Sequence, residues 1–343
     1  MAENSVWKML EDLSTKKGIS EIVINGSKNV FVERAGEFIG LNVPLNKKDI
    51  LEFSNEVALF NKKKFSNENP ILDGRLPDGS RINIISEPYS SQGTSITIRK
   101  YLSNNFELDK HSQLFGISEK YIPFLKSLIK AKKNILISGG TGSGKTTFMN
   151  MLLKEVSQDE RIITIEDTLE LVVGNSNCVR LEAGLTSGKE GLSMSQLVKN
   201  TLRMRPDRIF IGEVRGAEVF DMIQAMNTGH DGSMTSIHAN SPVECLQRVE
   251  ALFLMAGFDL PYHVVRKYIS TAVDFVIQLG RTDDGRRQVT QVMEVNSMEG
   301  SNILTTSVLE IENGELIFSG AVPSLANELA KKGELPTNYW NSL

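Results

Sequence analysis

The chain of 343 residues is 40% apolar, enough for roughly two domains with cores of their own. Its 38 basic and 42 acidic side chains leave a net charge of −4, which excludes a globally basic footprint, so no direct nucleic-acid contact is expected. The two cysteines, Cys178 and Cys245, lack any Cys-x-x-Cys partner, which excludes a disulfide framework and a zinc site and fits a reducing cytoplasm.

The N-terminus, MAENSVWKMLEDL, is charged and amphipathic, without the apolar core of a signal peptide. Val6, Trp7, Leu10 and Leu13 recur at helical spacing. Two short strands are expected at Glu21–Asn25 and Val30–Glu33, around the Gly26-Ser27 turn. Asn46 is placed to cap a helix carrying Ile50, Phe53, Val57 and Phe60. Strands are expected again from Arg81 and over Ser95–Arg99, completing a small α/β domain over residues 1–101. The polar stretch 102–117 has no strong period and is expected to be a linker.

A second domain is expected over 118–343. It opens with a helix bearing Ile122, Leu125, Leu128 and Ile129 on one face. Next comes Asn134–Ser138, an apolar run typical of a buried parallel strand. Strands are expected over Arg161–Ile165, Cys178–Leu181, Arg208–Ile211 and Ser233–Ile237, with helices between most of them. That alternation predicts an α/β fold with a mostly parallel sheet. Further strands are expected over Ala272–Leu279, Gln288–Val295 and Ile303–Ile311, with a hairpin turn at Asp284-Gly285. No run reaches the ~18 apolar residues of a membrane helix, so membrane association is expected only through partners.

The strand ending at Ser138 runs into GGTGSGKTT, residues Gly139, Gly140, Thr141, Gly142, Ser143, Gly144, Lys145, Thr146 and Thr147. These fit the phosphate-loop pattern G-x-x-x-x-G-K-[ST] in its required strand-to-helix setting. The glycines let backbone N–H groups face phosphate, Lys145 neutralises the β/γ oxygens, and the Thr146 hydroxyl meets Mg²⁺. ATP and Mg²⁺ are the cofactors implied. Hydrolysis also needs a group that orients water. Glu213 follows the strand Arg208–Ile211, and Glu166 follows Ile162–Ile165; both fall at the sheet edge where ligands bind. The residue before Glu213, often a metal-binding aspartate, is Gly212. Asp167 and Glu170 stand near Glu166 with either a structural or a functional role open to them. His238 ends the strand Ser233–Ile237 and is placed to sense the terminal phosphate, whereas His230 lies in the turn before that strand. Arg203, Arg205 and Arg215 lie near Glu213 in sequence, and Arg81 and Arg99 lie on strands of the first domain.

Four segments taken together resemble the secretion ATPase superfamily. They are GGTGSGKTT, IITIEDTLEL, LRMRPDRIFIGEVRG and AMNTGHDGSMTSIHANSP, in the order Walker A, Asp box, Walker B and His box. MNTGHDG with TSIHANSP, and also EIVINGSKNVFVERAG and DGRLPDGSRIN, are especially similar to the CpaF-like tight-adherence pilus ATPases. The resemblance implies a RecA-like phosphate-loop domain preceded by a smaller α/β domain, and a homo-hexamer that hydrolyses ATP. It implies work on inner-membrane platform proteins, with the motor cytoplasmic and peripheral at the inner membrane. It makes Glu166 the Asp-box acid, Glu213 the Walker B glutamate, His238 a His-box residue, and Arg81 and Arg99 the arginines that reach the nucleotide phosphates. The loss of the aspartate at Gly212 is shared by these enzymes. The main expectation is therefore a tight-adherence pilus motor. A type IV secretion ATPase shares the same boxes and is the nearest alternative. An ATP-binding scaffold with little turnover and a nucleic-acid translocase are alternatives from other classes, the second opposed by the acidic charge. Residues 312–343 match no pattern.

Overall fold

The computed structural model describes residues 4–16, 18–34, 37–100, 106–184, 191–257 and 260–343. They form two compact units, one ending before and one beginning after the segment 101–105.

The first unit contains α1 (Ser5–Ser14), β1 (Ile19–Asn25), β2 (Asn29–Arg34), β3 (Glu37–Leu41), α2 (Lys47–Phe60), β4 (Ile71–Arg75), β5 (Arg81–Ile85) and β6 (Ser95–Arg99). Both helices start where an asparagine accepts a backbone N–H: Asn4 from Val6, and Asn46 from Lys48. The strands form an antiparallel sheet in the order β3-β2-β1-β6-β5-β4. Ile22, Ile24, Ile82, Ile84, Ile96 and Ile98 project from its central strands into one buried cluster with Leu10, Phe53 and Val57 of the helices. Alternation along β5 and β6 leaves their other face open, as expected when helices cover one side only. The edge strands β3 and β4 are additions that the sequence pattern did not single out.

The second unit begins with α3 (Leu108–His111), a 3₁₀ turn at Ser112–Phe115, α4 (Ile122–Lys130), β7 (Ile135–Gly139), α5 (Lys145–Leu153), β8 (Ile162–Glu166) and β9 (Cys178–Glu182). It continues with α6 (Met194–Thr201), β10 (Arg208–Ile211), α7 (Glu218–Asn227), β11 (Met234–Ile237), α8 (Pro242–Met255) and α9 (Tyr262–Ala272). It ends with β12 (Phe275–Arg281), β13 (Arg287–Glu299), β14 (Asn302–Glu312), β15 (Glu315–Phe318) and α10 (Ala326–Lys331). Among the described residues the sheet has nine strands in the order β15-β14-β13-β12-β7-β11-β10-β8-β9. The run from β12 to β9 is parallel, and the three strands beyond β12 are antiparallel. Strand residues alternate between two cores. Ile135, Ile137 and Phe210 face α4 and α5, whereas Leu136, Ile209 and Ile211 face the helices α6 to α9. With both faces covered, β7, β8, β10 and β11 are buried throughout, and their sequences are correspondingly apolar runs. Among the described residues no helix is long and apolar enough to cross a membrane.

Three expectations need correction. Residues 106–117 are not a linker: Leu108, Phe115 and Ile117 are completely buried in the core beside α5, with Ser112 buried as well. Residues 102–105, the rest of the expected linker, lie outside the described residues. The strand expected over Ala272–Leu279 starts three residues later, because α9 continues through Ala272 and buries Ile269 and Ala272. The unread segment after Glu312 folds onto the same core. Trp340 packs edge-on against Phe124 of α4 at 5.0 Å, and the Tyr339 hydroxyl donates to the Lys120 carbonyl at 2.7 Å.

Candidate active site

β7 emerges from the sheet directly into the glycine-rich loop, and α5 begins at Lys145. Gly142 and Gly144 have φ of +72° and +93°, a region that L side chains rarely adopt. Gly144 caps α5 without a side chain, so the first N–H groups of the helix have no side-chain acceptor at the cap and point toward the loop. That is the elementary arrangement for holding an anion. Inside the loop the Ser143 hydroxyl donates to the Gly140 carbonyl at 2.9 Å. Lys145 is buried, and its Nζ donates to the Gly139 and Gly140 carbonyls at 2.9 and 3.1 Å. Burial pushes its pKa down, and the Glu213 carboxylate opposes that shift.

Because β7, β11, β10 and β8 are parallel neighbours, their C-terminal ends share one edge. Gly139, His238, Glu213 and Glu166 stand at or just beyond those ends. The edge brings Lys145, His238 and Glu213 into a chain. Lys145 Nζ lies 3.4 Å from His238 Nδ1, and His238 Nε2 lies 2.7 Å from Glu213 Oε1. An ammonium can only donate, so Nδ1 is the acceptor and Nε2 carries the ring proton, at ion-pair distance from Glu213 Oε1 but without a hydrogen bond to it. Burial lowers the His238 pKa, and the Lys145 charge lowers it further; the imidazole is neutral near pH 7. The other Glu213 oxygen accepts from Arg215 Nη2 at 2.5 Å.

Glu166, the last residue of β8, is 2% exposed. Its Oε2 accepts the N–H groups of Glu170 and Leu171 at 2.7 and 2.8 Å, while its Oε1 is buried with no partner. Burial raises its pKa, against the two backbone hydrogen bonds that lower it. A Cβ on Gly212 would stand 3.1 Å from Glu166 Cγ. The glutamate on the neighbouring strand thus crowds the space that an aspartate at 212 would need, in keeping with the glycine. An orphaned carboxylate oxygen and the half-buried Thr146 hydroxyl are hard oxygen donors, which suits Mg²⁺. Among the described residues no cluster of three or more potential ligands exists, so phosphate oxygens and water would complete the coordination.

The remaining candidates separate. His230 lies at the opposite end of β11 from His238, with its Nδ1 3.2 Å from the Ala225 carbonyl. Arg203 and Arg205 precede β10, at the other end of that strand from Glu213. Asp167 is exposed, and Glu170 serves Glu166 through its backbone. Arg81 and Arg99 belong to the first unit, directly opposite each other on β5 and β6, with Arg99 Nε 3.5 Å from Glu21. Gln278 was missed in the sequence. Buried on β12, it donates to the Ala239 carbonyl at 3.1 Å and so holds the backbone just after His238. A polar residue inside an otherwise apolar strand is the signal that marks it. Beside the loop lies a cavity of about 500 Å³, lined by Gly140, Thr141, His238, Asn240, Glu244 and Arg248 among others.

The profile of the family described as Type II/IV secretion system protein matches residues 4–312. The chain belongs to that family. It is a secretion ATPase, in agreement with the four motifs. It is 33% identical over 301 residues to the "Conjugal transfer protein TrbB" of Rhizobium radiobacter, an alignment covering 86% of this chain and 89% of the relative. It is 33% identical over 314 residues to the "Type IV secretion system protein VirB11" of Bartonella quintana, covering 80% and 88%. Among solved structures, the "Pilus Retraction Motor PilT and Bound ADP" superposes with a TM-score of 0.62 at 20% identity, covering 99% of this chain and 89% of that one. The Legionella pneumophila ATPase DotB gives 0.60 at 20% identity, covering 87% and 82%. The two structural likenesses bear on the fold. The sequence relatives carry conjugal-transfer and type IV secretion names, and the narrower tight-adherence resemblance finds no counterpart in them.

Proposed function

We propose that the chain is a homo-hexameric, ATP-hydrolysing motor of a type IV secretion or conjugal-transfer apparatus. It acts at the cytoplasmic face of the inner membrane through platform proteins of that apparatus. The supporting observation is the Lys145–His238–Glu213 chain at the mouth of an anion loop. Phosphate oxygens would draw Lys145 Nζ from the carbonyls of Gly139 and Gly140. His238 is then free to follow the terminal phosphate, and Glu213 to accept a hydrogen bond from the attacking water. Thr146 and Glu166 would hold Mg²⁺, which supplies charge neutralisation along the triphosphate when bound. Arg81 and Arg99 stand as the family's cations for the transferred phosphoryl group.

The names and coverage of the relatives favour type IV secretion over the tight-adherence pilus. The stretch MNTGHDG with TSIHANSP favours the pilus, which stays as the second reading. Adjacent genes for a prepilin and two platform proteins would decide for it.

Steady-state hydrolysis by the purified protein tests the enzymatic core. Glu213→Gln should lower turnover about 10²- to 10⁴-fold and leave nucleotide affinity within about twofold. Turnover unchanged by the substitution would favour a nucleotide-binding scaffold. Light scattering with ATP and Mg²⁺ tests the assembly, and a monomer under every condition would remove the hexamer.

A further inference from the structure

The turn between β12 and β13 carries two arginines that the phosphate-loop chemistry above does not use. Arg281 is the last residue of β12, and Arg287 is the first of β13; they are direct cross-strand partners. Residues in that register project to the same face with Cβ atoms roughly 5 Å apart. Like charges so placed repel, and a neutralising carboxylate is the usual remedy. None is supplied here. Among the described residues neither arginine takes part in an ion pair, and Asp284 in the intervening turn is engaged by Arg286 and Thr282.

Both arginines lie against the phosphate loop. Arg281 Nη2 donates to the Gly142 carbonyl at 2.9 Å, and it would stand 2.8 Å from a Cβ at that position. The Arg287 stem lies against Gly144, with its Cδ 2.9 Å from where a Cβ would be. Gly144 is thus needed for space as well as for its positive φ, whereas Gly142 meets only the movable end of Arg281. β12 runs parallel to β7 with Leu279 opposite Gly139, so the hairpin leaves the sheet beside the loop. His238 and the cavity next to it meet the loop at Gly140 and Thr141, whereas the arginines meet it at Gly142 and Gly144.

An uncompensated guanidinium pair held at the rim of an anion cradle has the electrostatics of a site awaiting its anion. We propose that Arg281 and Arg287 bind the α/β-diphosphate portion of the nucleotide, the part that ATP and ADP share. The terminal phosphate is left to Lys145, His238 and Glu213. On binding, Arg281 exchanges the Gly142 carbonyl for a phosphate oxygen, and the mutual repulsion of the pair is relieved. The repulsion disfavours the nucleotide-free state and adds to affinity without discriminating ATP from ADP. The site would therefore retain ADP after hydrolysis. This inference rests on the nucleotide reading given above and deepens it.

The test uses the full chain. Affinities for ADP and for a non-hydrolysable ATP analogue are measured for wild type, Arg281→Gln, Arg287→Gln, the double variant and Lys145→Ala. Melting temperatures are taken with and without ADP. Each single substitution should weaken ADP and the ATP analogue by the same factor, about tenfold or more. The nucleotide-free double variant should melt no lower than wild type, because a repulsive pair has been removed. Its ADP-induced rise in melting temperature should shrink. ADP bound equally by wild type and the double variant overturns this inference alone. So does a loss confined to the ATP analogue, which would place the pair at the terminal phosphate. A lower melting temperature without nucleotide and an intact ADP-induced rise would make Arg281 a structural clamp on the loop, again overturning it. Wild type that binds no ADP defeats the nucleotide reading and this inference together.

Discussion

Among the described residues, directly opposed arginines occur in both units, Arg75, Arg81 and Arg99 across β4, β5 and β6 and Arg281 with Arg287 across β12 and β13, and they differ in their company. Arg81 and Arg99 face each other on β5 and β6, with Glu21 on the next strand 3.5 Å from Arg99. Arg281 and Arg287 face each other across β12 and β13 with no carboxylate and with the phosphate loop against them. Arg99 has an acid within its own sheet, whereas Arg281 and Arg287 have none among the described residues. A pair that has its own acid can be held in place and presented when needed, whereas a pair without one makes the protein hold its ligand. On the roles proposed above, the first pair would serve turnover and the second retention.

Substituting the first pair gives the largest expected contrast. Arg81→Ala or Arg99→Ala should lower hydrolysis about 10²- to 10³-fold, as loss of a transition-state cation does, and leave ADP affinity within about twofold. Substitutions in the second pair should weaken ADP and ATP alike, as set out above. If both pairs changed ADP affinity equally, the division would be lost.

A smaller effect comes from Glu166, which inverts the logic of the second pair: an unpartnered anion oxygen awaiting a cation. Burial holds its folded-state pKa above the ordinary value of 4.5. Between the ordinary and the raised values the folded protein binds the extra proton, so stability falls as pH rises through that interval. The cost is complete above the raised folded-state value and absent below about 4.5. Metal-free Glu166→Gln should therefore melt above wild type once the pH exceeds the raised folded-state value, with the gain disappearing as the pH falls to about 4.5, while turnover with Mg²⁺ falls at least about tenfold. A variant that melts below wild type at every pH would mean that the Oε2 hydrogen bonds outweigh the buried charge.

The legibility of these features follows their range along the chain. The phosphate loop is local: strand, glycines and lysine lie within a dozen residues, and their geometry follows from residue type. Glu166, Glu213 and His238 could be read because a parallel sheet places the C-terminal ends of its strands on one edge, so a strand-end acid or imidazole needs no further information. The crowding at Gly212 could not be read, since it depends on β8 lying beside β10 and on Glu166 reaching toward it. Arg281 and Arg287 stayed hidden for the same reason. The Asp284-Gly285 turn predicts a hairpin, but nothing local says that this hairpin rises against a loop some 140 residues earlier in the chain. Residues 106–117 were misread because Leu108, Phe115 and Ile117 follow no period; their burial is decided by the core they meet.

The central claim is that the backbone around Lys145 is a triphosphate cradle, and direct nucleotide binding tests it most simply. ATP-analogue affinity measured with Mg²⁺ by calorimetry should fall at least about a hundredfold in Lys145→Ala, with hydrolysis abolished and the fold intact by circular dichroism. Unchanged affinity and turnover in that variant would contradict the account.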